Sequence, residues 1–160
     1  MSQLREQAAA GELAVGTVFR VTRTFSDEEV ERFGALTRDF NPVHYEQRWC
    51  ELKRFDGLIC HGLLVGSMLC EPGGQVGWLA TGMSFRFRRP VCIGDTVTCE
   101  MTIDELDDRG YARASCRFEN QRGETVLTGT LEGYLPGDGE RELLGRMLEE
   151  GDPTNGLQGG

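Results

Sequence analysis

A carboxylate and an imidazole stand close together in the stretch DFNPVH, residues 39–44. Asn41 is a favoured N-cap and Pro42 suits the first helical position, so this stretch predicts the start of a helix. A loop before the cap can fold Asp39 back toward His44, so that both side chains face one bound water. An imidazole at a helix N-terminus is biased toward its neutral form, which can accept a proton. Taken alone, however, the residue types favour a simple turn with a surface histidine.

His61 and Gly62 form a second candidate element, because they open an apolar segment that predicts a buried helix. The first amide groups of a helix lack internal partners, and glycine leaves its N–H approachable. The Gly62 N–H could therefore stabilise negative charge that develops on a carbonyl oxygen. His61 could be a second titrating group. In isolation, a plain helix start with His61 as a cap or packing residue is favoured.

Three arginines, Arg86, Arg88 and Arg89, cluster in an otherwise acidic chain. Such a group could bind a phosphate or the end of a nucleotide, although it is more often the solvated face of a strand. Ser67 lies within the buried helix, where its hydroxyl either lines a pocket or bonds back to the helix. The sequence contains no P-loop, dinucleotide-binding fingerprint or GxSxG elbow.

The composition limits the possible functions. The chain has 160 residues and a formal net charge of −9, which predicts one core and disfavours nucleic acid as a partner. Six cysteines without a CxxC pair, and only two histidines, make a metal site improbable. Neither a signal peptide nor a membrane span is recognisable, so we expect free thiols in a reducing, cytoplasmic compartment.

The hydrophobic pattern predicts an α+β fold. A strand is expected over 17–25, then a helix that begins at Ser26 with Glu29 completing a capping box. A second helix is predicted over 42–53 and a buried helix over 62–70. Period-two patterns from residue 83 to 135 predict an antiparallel sheet curled around the buried helix. We divide the chain into an extension (1–14), a domain (15–136), and an acidic helix with a disordered tail (137–160).

Together these motifs resemble the MaoC-like, (R)-specific enoyl-CoA hydratase family of hotdog proteins. The family motif Asp-x-Asn-Pro-[aliphatic]-His matches residues 39–44, and its later His-Gly matches His61 and Gly62. The stretch from Ser84 to Val91 and the turn at 94–95 also look like the family. The resemblance covers roughly residues 15–136. Because the motifs occur jointly and in order, the resemblance outweighs the simpler interpretations given above.

The resemblance implies a hotdog fold that dimerises through edge strands and hydrates trans-2-enoyl-CoA to the (R)-3-hydroxyacyl thioester. Asp39 and His44 would activate the water and deliver the proton, and the Gly62 N–H would polarise the thioester carbonyl. The substrate-binding residues would be Asn41, which holds the loop, together with His61, Ser67, Arg86 and Arg88. No metal or redox cofactor is implied. Arg38 stands where the family commonly has glycine.

Two alternatives belong to other classes: a hotdog thioesterase and a non-catalytic module that binds acyl thioesters. The first would need its carboxylate or asparagine elsewhere, and loss of Asp39 or His44 would have indicated the second. An acyl-carrier-protein substrate is also possible. Carrier proteins are usually acidic, so the acidity of this chain favours coenzyme A unless the arginines form a docking patch.

Overall fold

The computed structural model describes residues 3–152 and residue 154. Its helices and strands follow the order predicted from the sequence pattern. The α-helices are α1 (Gln3–Ala10), α2 (Asp27–Thr37), α3 (Gln47–Lys53), α4 (Gly62–Gly66), α5 (Cys70–Val76) and α6 (Asp138–Glu149). The strands are β1 (Val18–Thr24), β2 (Leu79–Phe87), β3 (Thr96–Leu106), β4 (Tyr111–Asn120) and β5 (Thr125–Tyr134).

The five strands form one antiparallel sheet in the order β1-β3-β4-β5-β2. In β4, alternate residues from Ala112 to Phe118 are buried and the residues between them are exposed. This alternation confirms the predicted period of two with one wet face. The strands β1 and β2 form the two edges of the sheet.

The buried helix crosses the concave face of this sheet and runs further than predicted, to Val76. It consists of α4, a 3₁₀ turn over Ser67–Leu69, and α5. Leu64, Val65 and Met68 are almost fully buried, as expected for a helix without a polar face. Pro72 lacks the N–H that would bond to the carbonyl of residue 68, which accounts for the tighter turn just before it. The α+β prediction of a sheet wrapped around a central helix is confirmed.

The predicted helix over 42–53 is interrupted, which corrects the sequence interpretation. Residues Pro42–His44 form a single 3₁₀ turn, and α3 begins only at Gln47. Glu46 acts as the N-cap of α3, because its side chain accepts the N–H of Arg48. By contrast, the capping box of Ser26 and Glu29 at the start of α2 is present as predicted.

The helices α1 and α6 pack against each other, and α1 also contacts α5. Buried Arg5 donates hydrogen bonds to the carbonyl oxygens of Gly74 and Gln75, and pairs with Asp152. The C-terminal carbonyls of α5 therefore receive a buried cation, which a helix C-terminus favours. Most of the tail predicted to be disordered lies outside the described residues. No helix among residues 3–152 is long and apolar enough to cross a bilayer.

Candidate active site

A cavity of about 680 Å³ opens at the N-terminal end of α4. This volume lies within the range of small-molecule sites. Polar atoms of Asp39, Asn41 and His44 meet His61 and Gly62 at one end. The apolar wall includes Phe33, Val43, Phe55, Leu63, Val65, Phe87, Val126 and Leu127. The structure thus brings together the two motifs that are separated in the sequence.

His44 lies at the end of the 3₁₀ turn, with its ring almost fully buried. Its Nδ1 lies 2.7 Å from the carbonyl oxygen of Ile59. A carbonyl oxygen only accepts hydrogen bonds, so Nδ1 carries the proton and Nε2 of the neutral ring carries the lone pair. Burial lowers the pKa of His44 below its ordinary value, although the bond to Ile59 and the charge of Asp39 act in the opposite direction. The ring is therefore available as a base at neutral pH.

Asp39 faces that free nitrogen from a loop between α2 and the 3₁₀ turn. Its Oδ2 lies 3.9 Å from His44 Nε2, and its Oδ1 accepts the Asn41 N–H at 3.2 Å. Asn41 also caps the 3₁₀ turn, because its Oδ1 accepts the Val43 N–H at 3.3 Å. Arg38, which precedes Asp39, has a left-handed backbone with φ of 60°. Glycine adopts this conformation without strain, whereas residues with a Cβ adopt it rarely.

His61 packs directly against His44. The two ring centroids are 3.8 Å apart with an angle of 28° between the planes. Phe33 also packs against His61, with 5.1 Å between the two ring centroids. His61 Nε2 donates to the backbone carbonyl of Asp39 at 2.9 Å, and only 1% of the residue is exposed. The imidazole is therefore part of the wall that supports Asp39 and His44.

Gly62 lines the cavity beside this pair. Its N–H makes no hydrogen bond to the described residues. A Cβ on Gly62 would come within 2.5 Å of the Phe87 ring, so close packing also requires glycine here. The packing explanation and the proposed role of the free N–H are thus compatible.

The other predicted binding residues are divided between the cavity and the rest of the fold. Arg88 lines the cavity, and its Nε donates to Thr128 Oγ1 at 3.2 Å. Arg86 lies outside the lining, exposed on β2. Ser67 also lies outside it, because its hydroxyl bonds back to the Leu64 carbonyl at 2.6 Å. Arg89, the third member of the arginine cluster identified in the sequence, also lines the cavity.

The carboxylate and both imidazoles are the one group of potential metal ligands among residues 3–152 and 154, with ligand atoms within 4.8 Å. A metal ion lies in the plane of each imidazole that binds it, at about 2.0–2.1 Å from the nitrogen. The rings of His44 and His61 are stacked, with 3.8 Å between their centroids and 28° between their planes. One ion therefore cannot lie in both ring planes at that distance. The arrangement suits proton transfer better than metal coordination.

Sequence reasoning missed the backbone carbonyl of Ile59, which fixes the proton position on His44. No residue type signals such a role, because every residue has a carbonyl. It also missed the pairing of Tyr45 with Gly34. The Tyr45 hydroxyl occupies the space beside Gly34 and donates to the Val30 carbonyl at 3.4 Å. A glycine among the apolar residues of α2 was the available signal.

The fold and the site together define a hotdog protein with a carboxylate and two imidazoles at the head of its central helix. The sequence profile of the MaoC like domain matches residues 10–121. The chain therefore belongs to the MaoC-like family.

Relatives with assigned names agree with this placement. The (R)-specific enoyl-CoA hydratase of Aeromonas caviae is 34% identical over 133 residues, which are 80% of this chain and 99% of that protein. A mitochondrial 3-hydroxyacyl-[acyl-carrier-protein] dehydratase of Arabidopsis thaliana is 29% identical, over 78% of each chain. The solved structure of the A. caviae (R)-hydratase involved in PHA biosynthesis gives a TM-score of 0.73, covering 78% of this chain and 98% of that one.

Replacing Gly34 with alanine tests the packing beneath the pair. The new Cβ would lie 1.7 Å from the Tyr45 hydroxyl, so the tyrosine must move away. We expect Gly34→Ala to lower the free energy of unfolding by about 1–3 kcal/mol. The matched variant Gly145→Ala, where nothing lies within 4 Å in α6, should raise it by up to about 1 kcal/mol.

Urea unfolding of both variants measures this difference. If Gly34→Ala gains as much stability as Gly145→Ala, Tyr45 does not occupy the described position.

Proposed function

We propose that this protein reversibly adds water to the trans-2-enoyl thioester of coenzyme A, forming the (R)-3-hydroxyacyl thioester. The observation that carries the proposal is the free Nε2 of His44, which faces the Asp39 carboxylate across 3.9 Å at the polar end of an apolar cavity. The apolar wall suits an acyl chain, and the polar end suits a water and a thioester. The named hydratases and dehydratases among the relatives support the same hydro-lyase chemistry.

In this proposal His44 acts as the base. Its Nε2 takes a proton from the water whose oxygen attacks C3 of the enoyl group. The imidazolium, paired with Asp39, then gives that proton to C2 as the thioester carbonyl re-forms. One nitrogen serves both carbons, so hydrogen and hydroxyl add to the same face of the double bond. Asp39 orients the water and stabilises the imidazolium.

The Gly62 N–H is proposed to bind the thioester oxygen. When water attacks C3, negative charge develops on C2 and is delocalised onto the thioester oxygen. A hydrogen-bond donor at this oxygen therefore lowers the barrier. Removing one donor of this kind typically costs about 10²–10³-fold in kcat. Nothing in this mechanism requires a metal or a redox cofactor.

Coenzyme A is proposed as the carrier of the acyl group. Arg88 and Arg89 on the rim supply positive charge for its phosphates, although the chain as a whole is acidic. The net charge of −9 would repel an acidic carrier protein, which argues against the carrier-protein substrate named for the plant relative.

A homodimer is proposed because of β2. This edge strand exposes Leu79, Met83 and Phe87, with 69%, 47% and 58% of their surfaces accessible. An unpaired edge with apolar side chains is a liability that a second copy of the strand would cover. We further propose that the enzyme serves fatty acyl metabolism in the cytoplasm, where its free cysteines would remain reduced.

The direct test is hydration of crotonyl-CoA, followed by loss of absorbance of the enoyl thioester. We expect activity in the wild type and a loss of about 10²–10⁴-fold in kcat/KM for Asp39→Asn and His44→Ala. The matched control Asp104→Asn changes an exposed carboxylate on β3 and should retain full activity.

A thiol reagent in a parallel assay distinguishes the alternatives. Release of free coenzyme A without hydration would indicate a thioesterase, and no reaction with short or medium enoyl-CoAs would contradict the hydratase proposal. Unimpaired Asp39 and His44 variants would contradict the assignment of the pair.

The dimer is tested by sedimentation at micromolar concentration, where we expect the mass of two chains. Leu79→Glu should reduce the mass to that of one chain, because it places a charge in the proposed interface. The matched change Leu36→Glu, on an exposed residue of α2, should leave the dimer intact. A monomeric wild type would contradict the proposal.

A further inference from the structure

We propose that His61 is a positioning residue, which fixes both Asp39 and His44 relative to the central helix. This inference rests on the proposed function and replaces the substrate-binding role expected from the sequence. The ring stacks on His44 with 3.8 Å between centroids, while its Nε2–H holds the Asp39 carbonyl at 2.9 Å. One side chain therefore contacts both members of the pair.

The hydrogen bond matters because the Asp39 loop has few other attachments. The remaining bonds of Asp39 are local: its N–H donates to Thr37 and its Oδ1 accepts from Asn41. The bond from His61 is thus the described hydrogen bond that joins Asp39 to the head of α4. Without it, the carboxylate, whose side chain is 51% exposed, can move away from His44 with its loop. A displacement of the carboxylate by about 1 Å is sufficient to lower the rate, because proton transfer requires close placement of the two groups.

The protonation of His61 follows from the same contact. The Asp39 carbonyl accepts only, so Nε2 carries the hydrogen and Nδ1 carries the lone pair. This buried Nδ1 has no hydrogen-bond partner among the described residues. The ring is almost fully buried, stacks on His44 and packs against Phe33, so it exposes almost no surface to a substrate. His61 therefore acts through Asp39 and His44.

The stack also affects the electrostatics of His44. The charged or titratable groups that face His44 are Asp39, His61 and Tyr45. Burial has the largest effect and lowers the pKa of His44, the Ile59 carbonyl and Asp39 raise it, and His61 lowers it further. Removing the second imidazole should raise the pKa of His44, because it uncovers one face of the buried ring and so weakens the desolvation that lowers this pKa. Because the base must be unprotonated, the acid limb of kcat/KM should then move to higher pH.

Two substitutions separate the hydrogen bond from the stack. His61→Gln offers an amide N–H to the Asp39 carbonyl but has no ring, and His61→Phe keeps a ring but has no donor. We expect His61→Phe to lower kcat about 10–100-fold with little change in KM, as when a supporting partner of a catalytic group is removed. His61→Gln should recover most of kcat and show the shifted acid limb.

Leu64→Val is the control for disturbed packing, because Leu64 is buried in the same turn of α4 but does not line the cavity. It should retain kcat while lowering the melting temperature. Melting curves of the His61 variants identify any loss of activity that comes from unfolding. The deciding comparison is then between the folded His61→Phe and His61→Gln variants.

Full kcat in His61→Phe would overturn the proposal, as would a rise in KM with unchanged kcat, which indicates substrate binding. Equal loss in folded His61→Gln and His61→Phe would overturn it too. An NMR titration of His44 in His61→Gln needs no substrate. If the wild type failed to hydrate crotonyl-CoA, a raised midpoint would still support the contact, and an unchanged midpoint would contradict it.

Discussion

The arrangement of the site depends on the short segment from Ile59 to His61, which holds both Asp39 and His44 in place. The carbonyl of Ile59 accepts a hydrogen bond from His44 Nδ1–H, and the ring of His61 donates one to the carbonyl of Asp39. The segment is itself held, because the Cys60 N–H donates to Val91 and the Ile59 N–H donates to Val43. A carboxylate and an imidazole from an exposed loop are thereby attached to the buried core.

The burial of His44 determines its protonation state. Desolvation lowers the pKa of His44, so the imidazole is neutral and able to accept a proton at neutral pH. The apolar wall of the cavity strengthens the interaction between the imidazolium and Asp39 once the proton has moved. In the proposed reaction the same wall would accommodate the acyl chain, so substrate binding and the electrostatics of the pair would have a common origin. The central helix contributes a free N–H at Gly62 beside them.

Much of this could be predicted from the sequence, and the exceptions have physical reasons. Most of β3 and β4 alternates between buried and more exposed residues because one face of the sheet is wet, and the Ser26 capping box specifies the start of α2 locally. The prediction of one continuous helix over 42–53 was wrong, because the Tyr45 side chain packs beside Gly34 and Glu46 caps a separate helix, α3. That contact joins residues of different elements and leaves no periodic signal. Ser67 and Arg86 have suitable chemistry, but the sheet and helix direct them away from the cavity.

The stacking of the two histidines could not be predicted either, because it depends on where a loop meets the head of a helix. The sequence motifs predicted that both histidines belong to the site. The different role of each histidine follows from which of its ring nitrogens lies at a backbone carbonyl. His44 has Nδ1 on a carbonyl and Nε2 free. His61 has the reverse arrangement.

A long-range ¹H–¹⁵N correlation spectrum of the wild type at pH 7 tests this central claim most directly, because the chain has only two histidines. The account predicts opposite tautomers: a neutral His44 protonated at Nδ1, and a His61 protonated at Nε2. A His44 protonated at Nε2, or at both nitrogens, would leave no lone pair facing Asp39 and would contradict the account.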